Sequence, residues 1–261
     1  MEKKAKITFY GGTGTVTGSN FLLEIDGKRI LVDCGLTQGV KLADDINWDP
    51  FPYHPEEIDF LFISHAHVDH LGRVPKLIYE GFKGQIYSTK PTQALAPFML
   101  EDTAGILSKN KDFDLDKIYS AENINSALSK WTGFEYQESI KLTPSLEVSF
   151  LNAGHILGSA MICFIYNGKK ILFTGDLGNS PSPLLPDTVK VTDADYLIME
   201  SVYGDRNHES KSERRKFLEQ VIEDNYKRGG ILIIPTFSLE RSQELLFELN
   251  NLVENDRIPI M

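Results

Sequence analysis

The stretch FISHAHVDHLG, residues 62–72, concentrates metal-binding side chains directly after an apolar run. His65, His67, Asp69 and His70 lie within it, although the whole chain has only 6 histidines. Alternate residues of an extended chain point the same way, so His65 and His67 can bind one metal ion together. Asp69 and His70 follow a turn later and suit a second ion nearby. Neutral imidazole with carboxylate favours zinc, then manganese or iron.

Two further candidate ligands lie downstream, each after an apolar run. LNAGHILGSA places His155 beside glycines, and ILFTGDLG places Asp176 at the end of another apolar run. Sites in layered α/β proteins usually lie at strand ends. A carboxylate at position 176 can bridge two ions through its two oxygens. Each segment alone is also an ordinary turn, so their order after the first cluster is what marks them as ligands.

Short apolar segments separated by turns predict a mixed α/β fold. Asp-Gly at residues 26–27 and Asn-Gly at residues 167–168 each predict a hairpin. The predicted strands are residues 5–10, 21–25, 29–35, 58–64, 146–153, 160–168, 169–176, 195–201 and 231–236, with one more that starts at residue 257. The predicted helices are residues 91–109, 121–131, 210–230 and 238–256, with Ser238 as the cap of the last.

Composition places few limits on function. The net charge of -10 argues mildly against a surface that coats nucleic acid. No apolar run reaches the roughly 18 residues of a membrane span, and the N-terminus lacks a signal-peptide core. We therefore expect a cytoplasmic protein with no membrane partner. Cys34 and Cys163 lie in apolar segments and are interpreted as small buried hydrophobic residues.

H-x-H-x-D-H, a glycine-flanked histidine and T-G-D-x-G together resemble the metallo-β-lactamase fold of dinuclear metal hydrolases. The resemblance implies an αββα sandwich with two zinc ions, or manganese or iron in their place. It implies that Asp33, in LVDCG, orients the cluster. It also implies one ion on His65, His67 and His155, the other on Asp69 and His70, and Asp176 shared between them.

Three further segments narrow the resemblance: GTVTGSN at residues 14–20, IMESVYGDRNH at 198–208 and PTFSLERSQELL at 235–246. They are similar to the β-CASP family, in particular to the cleavage-and-polyadenylation nuclease group and its prokaryotic relatives. The implied organisation is a metallo-β-lactamase domain over residues 1–205 and the start of a Rossmann-like α/β β-CASP domain over residues 206–261. We expect the second domain to be truncated and to lack a C-terminal segment of the same polypeptide.

The family pattern also has two histidines after this point, one for the second metal and one for the leaving group. Only His54 and His208 remain here, and both are interpreted as surface residues. The resemblance implies that Asp69 accepts the proton of the nucleophile and that Glu200 acts on the leaving group.

The expected function is zinc-dependent cleavage of phosphodiester bonds in RNA, as a ribonuclease of RNA processing or decay, impaired in a fragment of this length. RNA is the expected partner, and a second copy of the chain stays open as another. Two alternatives stay open as well. One is a metal-dependent hydrolase of another ester or thioester, and the other is a non-catalytic RNA-binding scaffold.

Overall fold

The computed structural model describes residues 4–39, 43–109, 114–207, 211–255 and 257–258. The chain forms two compact units. The first unit comprises residues 1–180 and 186–200, and the second comprises residues 181–185 and 201–261.

The first unit contains two sheets. The strands of the six-stranded sheet, in spatial order, are β1 Lys6–Phe9, β2 Phe21–Ile25, β3 Lys28–Val32, β4 Phe60–Phe62, β5 Gln85–Thr89 and β6 Trp131–Phe134. The five-stranded sheet has the order β11-β10-β9-β8-β7, formed by β7 Ile140–Lys141, β8 Leu146–Asn152, β9 Ala160–Tyr166, β10 Lys169–Phe173 and β11 Tyr196–Ile198. Strands β3 to β6 run parallel, so β3 and β4 end at the same edge.

Both predicted hairpins are confirmed. Strands β2 and β3 pair antiparallel around Asp26 and Gly27, which have φ values of 51° and 75°. Strands β9 and β10 pair in the same way around Asn167 and Gly168, with φ values of 48° and 76°. Positive φ at both central residues gives the turn a twist that matches the flanking strands.

The core of the first unit lies between the two sheets. Phe62 of the first sheet packs on Phe150 and Phe164 of the second, with ring centroids 5.9 and 5.4 Å apart. Inward-facing residues of both sheets extend this cluster, among them Leu23, Val32, Ile162 and Phe173. The predicted face-to-face packing of two sheets is therefore confirmed.

The helices of the first unit are α1 Ala43–Trp48, α2 Val68–Leu71, α3 Val74–Tyr79, α4 Lys90–Leu107, α5 Leu115–Ile118 and α6 Ala121–Ser129. Thr89 and Ser120 cap α4 and α6 by accepting backbone hydrogen bonds. Trp131 was predicted to be helical but begins β6, because its backbone pairs with Ile86 and its indole donates to Ser88. Within the described ranges, no helix has the length and apolar composition needed to cross a bilayer.

The second unit contains α7 Lys211–Arg228 and α8 Arg241–Glu254. The predicted buried strand at residues 231–236 is wrong: the segment is not a strand, and Ile231 and Ile233 are 91% and 81% exposed. A strand needs a neighbour to pair with, and no strand is assigned among the described residues of this unit. The strand that the Rossmann-like prediction requires here is therefore not formed.

Two other predictions concern the second unit. Ser238 does not cap α8, because the N-cap position is Glu240, two residues later. The strand predicted from residue 257 lies largely outside the described residues. The assignment of residues 206–261 to a partial β-CASP domain stays a prediction.

Candidate metal centre

The candidate ligands converge from both sheets of the first unit. Asp33 directly follows β3, and His65 lies three residues after the end of β4. His67 occupies the N-cap position of α2, which carries Asp69 and His70. From the second sheet, the β8–β9 loop contributes His155, and the segment after β10 contributes Asp176.

The first ligand group consists of His65, His67, His155 and Asp176, whose ligand atoms all lie within 4.8 Å of one another. Nδ1 of His67 lies 3.1 Å from Nε2 of His65 and 3.2 Å from Nε2 of His155. Oδ2 of Asp176 lies 3.8 and 3.6 Å from the same two Nε2 atoms. Tetrahedral ligands with zinc bonds of about 2.0–2.1 Å stand about 3.3 Å apart. The donor atoms and their spacing therefore fit a metal ion such as zinc.

The second ligand group lies on the other side of Asp176. Nε2 of His70 is 3.3 Å from Oδ1 of Asp176 and 3.8 Å from Oδ2 of Asp69. The two oxygens of Asp176 thus face different groups, Oδ1 toward His70 and Oδ2 toward His65 and His155. The structure brings all six predicted ligands together, and their roles as ligands stay a prediction.

Asp33 is the buried anchor of this arrangement. Its side chain accepts hydrogen bonds from the backbone N–H of Ser64 at 2.8 Å, from the hydroxyls of Ser64 and Ser19 at 2.9 and 3.0 Å, and from Nδ1 of His70 at 2.7 Å. Its φ of 59° is a left-handed conformation that aspartate tolerates better than most residues. The bond to Nδ1 turns Nε2 of His70 toward Asp176, as the outer partners of metal-binding histidines commonly do.

The charges of the centre favour a cation. Burial alone would lower the pKa of His70, but the neighbouring carboxylates of Asp33 and Asp176 raise it well above its usual value. Burial alone would raise the pKa of Asp176, but the positive charge and hydrogen bond of His70 lower it to about 2. Burial, followed by the neighbouring histidines, lowers the pKa of His65 well below its usual value. His65 is thus held neutral, as metal binding requires.

Close backbone packing fixes the segments that carry the ligands. The carbonyls of Asp69 and His70 accept hydrogen bonds from the backbone N–H groups of Ser19 and Cys34, at 2.9 and 2.7 Å. A Cβ added to Gly35 would lie 1.6 Å from the carbonyl oxygen of Asp69. The approach of β3 to α2 therefore requires glycine at position 35.

Gly35→Ala is expected to lower the free energy of unfolding by about 3 kcal/mol or more, because backbone must move to admit the new methyl group. Gly105→Ala is the matched control: nothing lies within 4 Å of its added Cβ, and it is an exposed residue of α4. This control is expected to raise the free energy by about 0.5–1 kcal/mol. Urea unfolding measures both, and equal stability of the two variants would contradict the close approach.

Glu200 lies beside the Asp176 segment. Its backbone N–H donates to the hydroxyl of Thr174 at 3.2 Å, and its carboxylate accepts from the N–H of Leu177 at 3.4 Å. The side chain of His54 is 74% exposed and lies 3.7 Å from Glu56, as expected of a surface histidine. His208 lies outside the described residues. Cys34 and Cys163 are buried free cysteines, as predicted.

Three serines that no sequence motif marks hold the ligands in place. Ser19 and Ser64 donate to Asp33, and the hydroxyl of Ser159 accepts from the backbone N–H groups of His155 and Ile156. Ser64 directly precedes the first histidine and Ser159 ends LNAGHILGS, so position beside a ligand was the available signal.

Comparison with known proteins identifies the class. Residues 22–191 match the family described as "Metallo-beta-lactamase superfamily domain". The chain belongs to the metallo-beta-lactamase superfamily, and the predicted sandwich of this fold is confirmed.

Several relatives of this chain carry names that indicate a more specific group within the superfamily. The chain is similar to "Ribonuclease TTHA0252" of Thermus thermophilus, with 38% identity over 94% of this chain and 54% of that protein. It is also 34% identical to "Transcription termination factor FttA" of Methanosarcina mazei, over 97% of this chain and 40% of the relative. "Cleavage and polyadenylation specificity factor subunit 3" of Dictyostelium discoideum is 32% identical over 94% of this chain and 32% of the relative. The resemblance to β-CASP RNA-processing proteins is thereby confirmed, and the chain spans about half or less of the length of these relatives.

Proposed function

We propose that this chain carries most of the catalytic centre of a metal-dependent ribonuclease that cleaves phosphodiester bonds in RNA. The observation that carries the proposal is the position of Asp176, whose two oxygens face two groups of imidazole and carboxylate ligands. The named relatives include a ribonuclease, and that name supports RNA as the substrate. Phosphate ester hydrolysis suits such a centre because two cations can share one charged substrate.

His65, His67 and His155 are proposed to hold one ion, and Asp69 and His70 the other, with Asp176 common to both. Zinc is the proposed metal, since neutral imidazoles predominate among the donors, and manganese or iron are the substitutes. When bound, the ions supply a Lewis acid that activates water near neutral pH and balances the charge of the phosphate.

The protein side chains supply the proton transfers. Asp69 is proposed to accept the proton of the attacking water, since its carboxylate lies beside the second ligand group at 3.8 Å from Nε2 of His70. Glu200 is proposed to act on the leaving oxygen, because its carboxylate lies beside the segment that carries Asp176.

The proposed organisation follows the family. Residues 1–205 form the metallo-β-lactamase domain and residues 206–261 belong to a β-CASP domain. Further polypeptide of the whole protein is proposed to supply the two remaining histidines of the family pattern. A second copy of the same chain is kept in the proposal as a possible partner in a homodimer.

Metal removal tests the function on the full-length protein. Dialysis against a chelator is expected to lower cleavage of labelled RNA by about a hundredfold or more, because the centre loses its Lewis acid. Added zinc, manganese or iron should restore cleavage, and the extent of recovery shows which of these ions supports the reaction best.

Labelled DNA and a generic phosphodiester serve as substrate controls. Equal cleavage of all three substrates would contradict the proposed preference for RNA and would indicate a less selective hydrolase of phosphate esters. Metal binding without cleavage of any of them would favour an RNA-binding scaffold.

A further inference from the structure

Ser64 lies at the junction of the two ligand groups and Asp33. Its side chain is buried, with 1% of the residue exposed. Its Oγ is 2.9 Å from Oδ2 of Asp33, 3.0 Å from Nδ1 of His65 and 3.2 Å from Nδ1 of His70. One hydroxyl therefore contacts a histidine from each ligand group and the aspartate behind them.

The direction of these hydrogen bonds follows from counting donors. An ionised carboxylate only accepts, so the single proton of the Ser64 hydroxyl is given to Asp33. Toward His65 the hydroxyl oxygen can then only accept, and the proton of that imidazole must sit on Nδ1. The other nitrogen, Nε2, is left with a free lone pair, and it is Nε2 that lies 3.1 Å from Nδ1 of His67 in the first ligand group.

Backbone hydrogen bonds and close packing fix the position of Ser64. Its backbone N–H donates to Oδ1 of Asp33, and its carbonyl accepts from the N–H of Ala160, both at 2.8 Å. A Cβ added to Gly175 would lie 2.8 Å from Cβ of Ser64. The glycine of T-G-D therefore provides the space in which Ser64 packs between the two sheets.

We propose that Ser64 is a positioning residue that sets the tautomer of His65 and aligns it for metal binding. The inference deepens the proposed function, since it concerns the same centre. Loss of the hydroxyl leaves Nδ1–H of His65 without its buried acceptor, so the other tautomer, with the proton on the metal-facing nitrogen, is no longer disfavoured.

The test compares Ser64→Ala with Ser19→Ala in the full-length protein. Both variants remove one hydroxyl donor from Oδ2 of Asp33, but Ser19 has no described hydrogen bond to a histidine. Titration with Zn²⁺ and Co²⁺ is expected to show binding weakened about 10- to 100-fold in Ser64→Ala. The affinity of Ser19→Ala should stay clearly above that of Ser64→Ala, and only Ser64→Ala should change the visible spectrum of bound Co²⁺.

Equal affinities in the two variants would overturn the inference, because loss of any donor to Asp33 would then suffice. Wild-type affinity in Ser64→Ala would overturn it as well, while the metal centre itself would stand. If the wild-type protein bound no metal, the proposed function would fail together with the inference.

A second measurement is independent of whether Ser64→Ala folds. Nitrogen-15 NMR of the metal-free wild-type imidazoles distinguishes the two neutral tautomers. A proton on Nδ1 of His65 is the expected result, and a proton on Nε2 would overturn the inference.

Discussion

Asp176→Ala is expected to remove tight metal binding and to lower RNA cleavage by about a thousandfold or more. The reason is geometric, because Asp176 is the one side chain of the proposed ligand set whose oxygens face both groups, at 3.3 Å from Nε2 of His70 and 3.6 Å from Nε2 of His155. Its loss also leaves His65, His67 and His155 without the carboxylate of their ligand group. Metal content of the purified variant and its cleavage of labelled RNA measure the two effects.

Asp187→Ala is the matched control for this experiment. Asp187 is an exposed acid only eleven residues further along the chain, and its backbone carbonyl, rather than its carboxylate, accepts from Asn152. This variant is expected to keep both metal and activity. Full metal content in Asp176→Ala would show that Asp176 does not bridge the two groups.

Asp33→Ala is expected to lower the free energy of unfolding by about 3–5 kcal/mol in the metal-free protein. The variant leaves the buried N–H and hydroxyl of Ser64, the hydroxyl of Ser19 and Nδ1 of His70 without their shared acceptor. It also strips the buried His70 of one of the two carboxylates that stabilise its charge. Urea unfolding in the presence of a chelator measures the loss without a contribution from bound metal.

Asp193→Ala tests whether the loss of stability expected for Asp33→Ala depends on the burial of the aspartate. Asp193 pairs with Lys170 at 2.6 Å, but its side chain is 70% exposed. Removing such a solvent-screened surface ion pair is expected to change the free energy of unfolding far less than Asp33→Ala does. If Asp33→Ala cost no more than Asp193→Ala, Asp33 would not be the anchor of the centre.

Local patterns explain what the sequence predicted correctly. Asp26-Gly27 and Asn167-Gly168 specify their hairpins because few residue pairs adopt positive φ at both positions. The convergence of His65 and His67 follows from the alternation of side chains along an extended segment. These features depend on residues that are close in sequence.

The features that the sequence did not predict correctly depend on contacts between residues that are far apart in sequence. Ser64 donates to Asp33 across 31 positions, and no local pattern marks that contact. The apolar run at residues 231–236 suggested a strand, but an apolar run becomes a strand only when another strand lies beside it. Trp131 begins β6 because its indole reaches Ser88, 43 positions away.

The division of the ligands between the two sheets has a consequence for folding. His65, His67, Asp69 and His70 lie close together in sequence, but His155 and Asp176 reach them only after the second sheet has packed on the first. A partly folded chain therefore offers an incomplete chelate, and tight binding arises late, once distant contacts have formed. An ion then binds the native state far better than any earlier state. Its binding therefore selectively stabilises the fully folded sandwich.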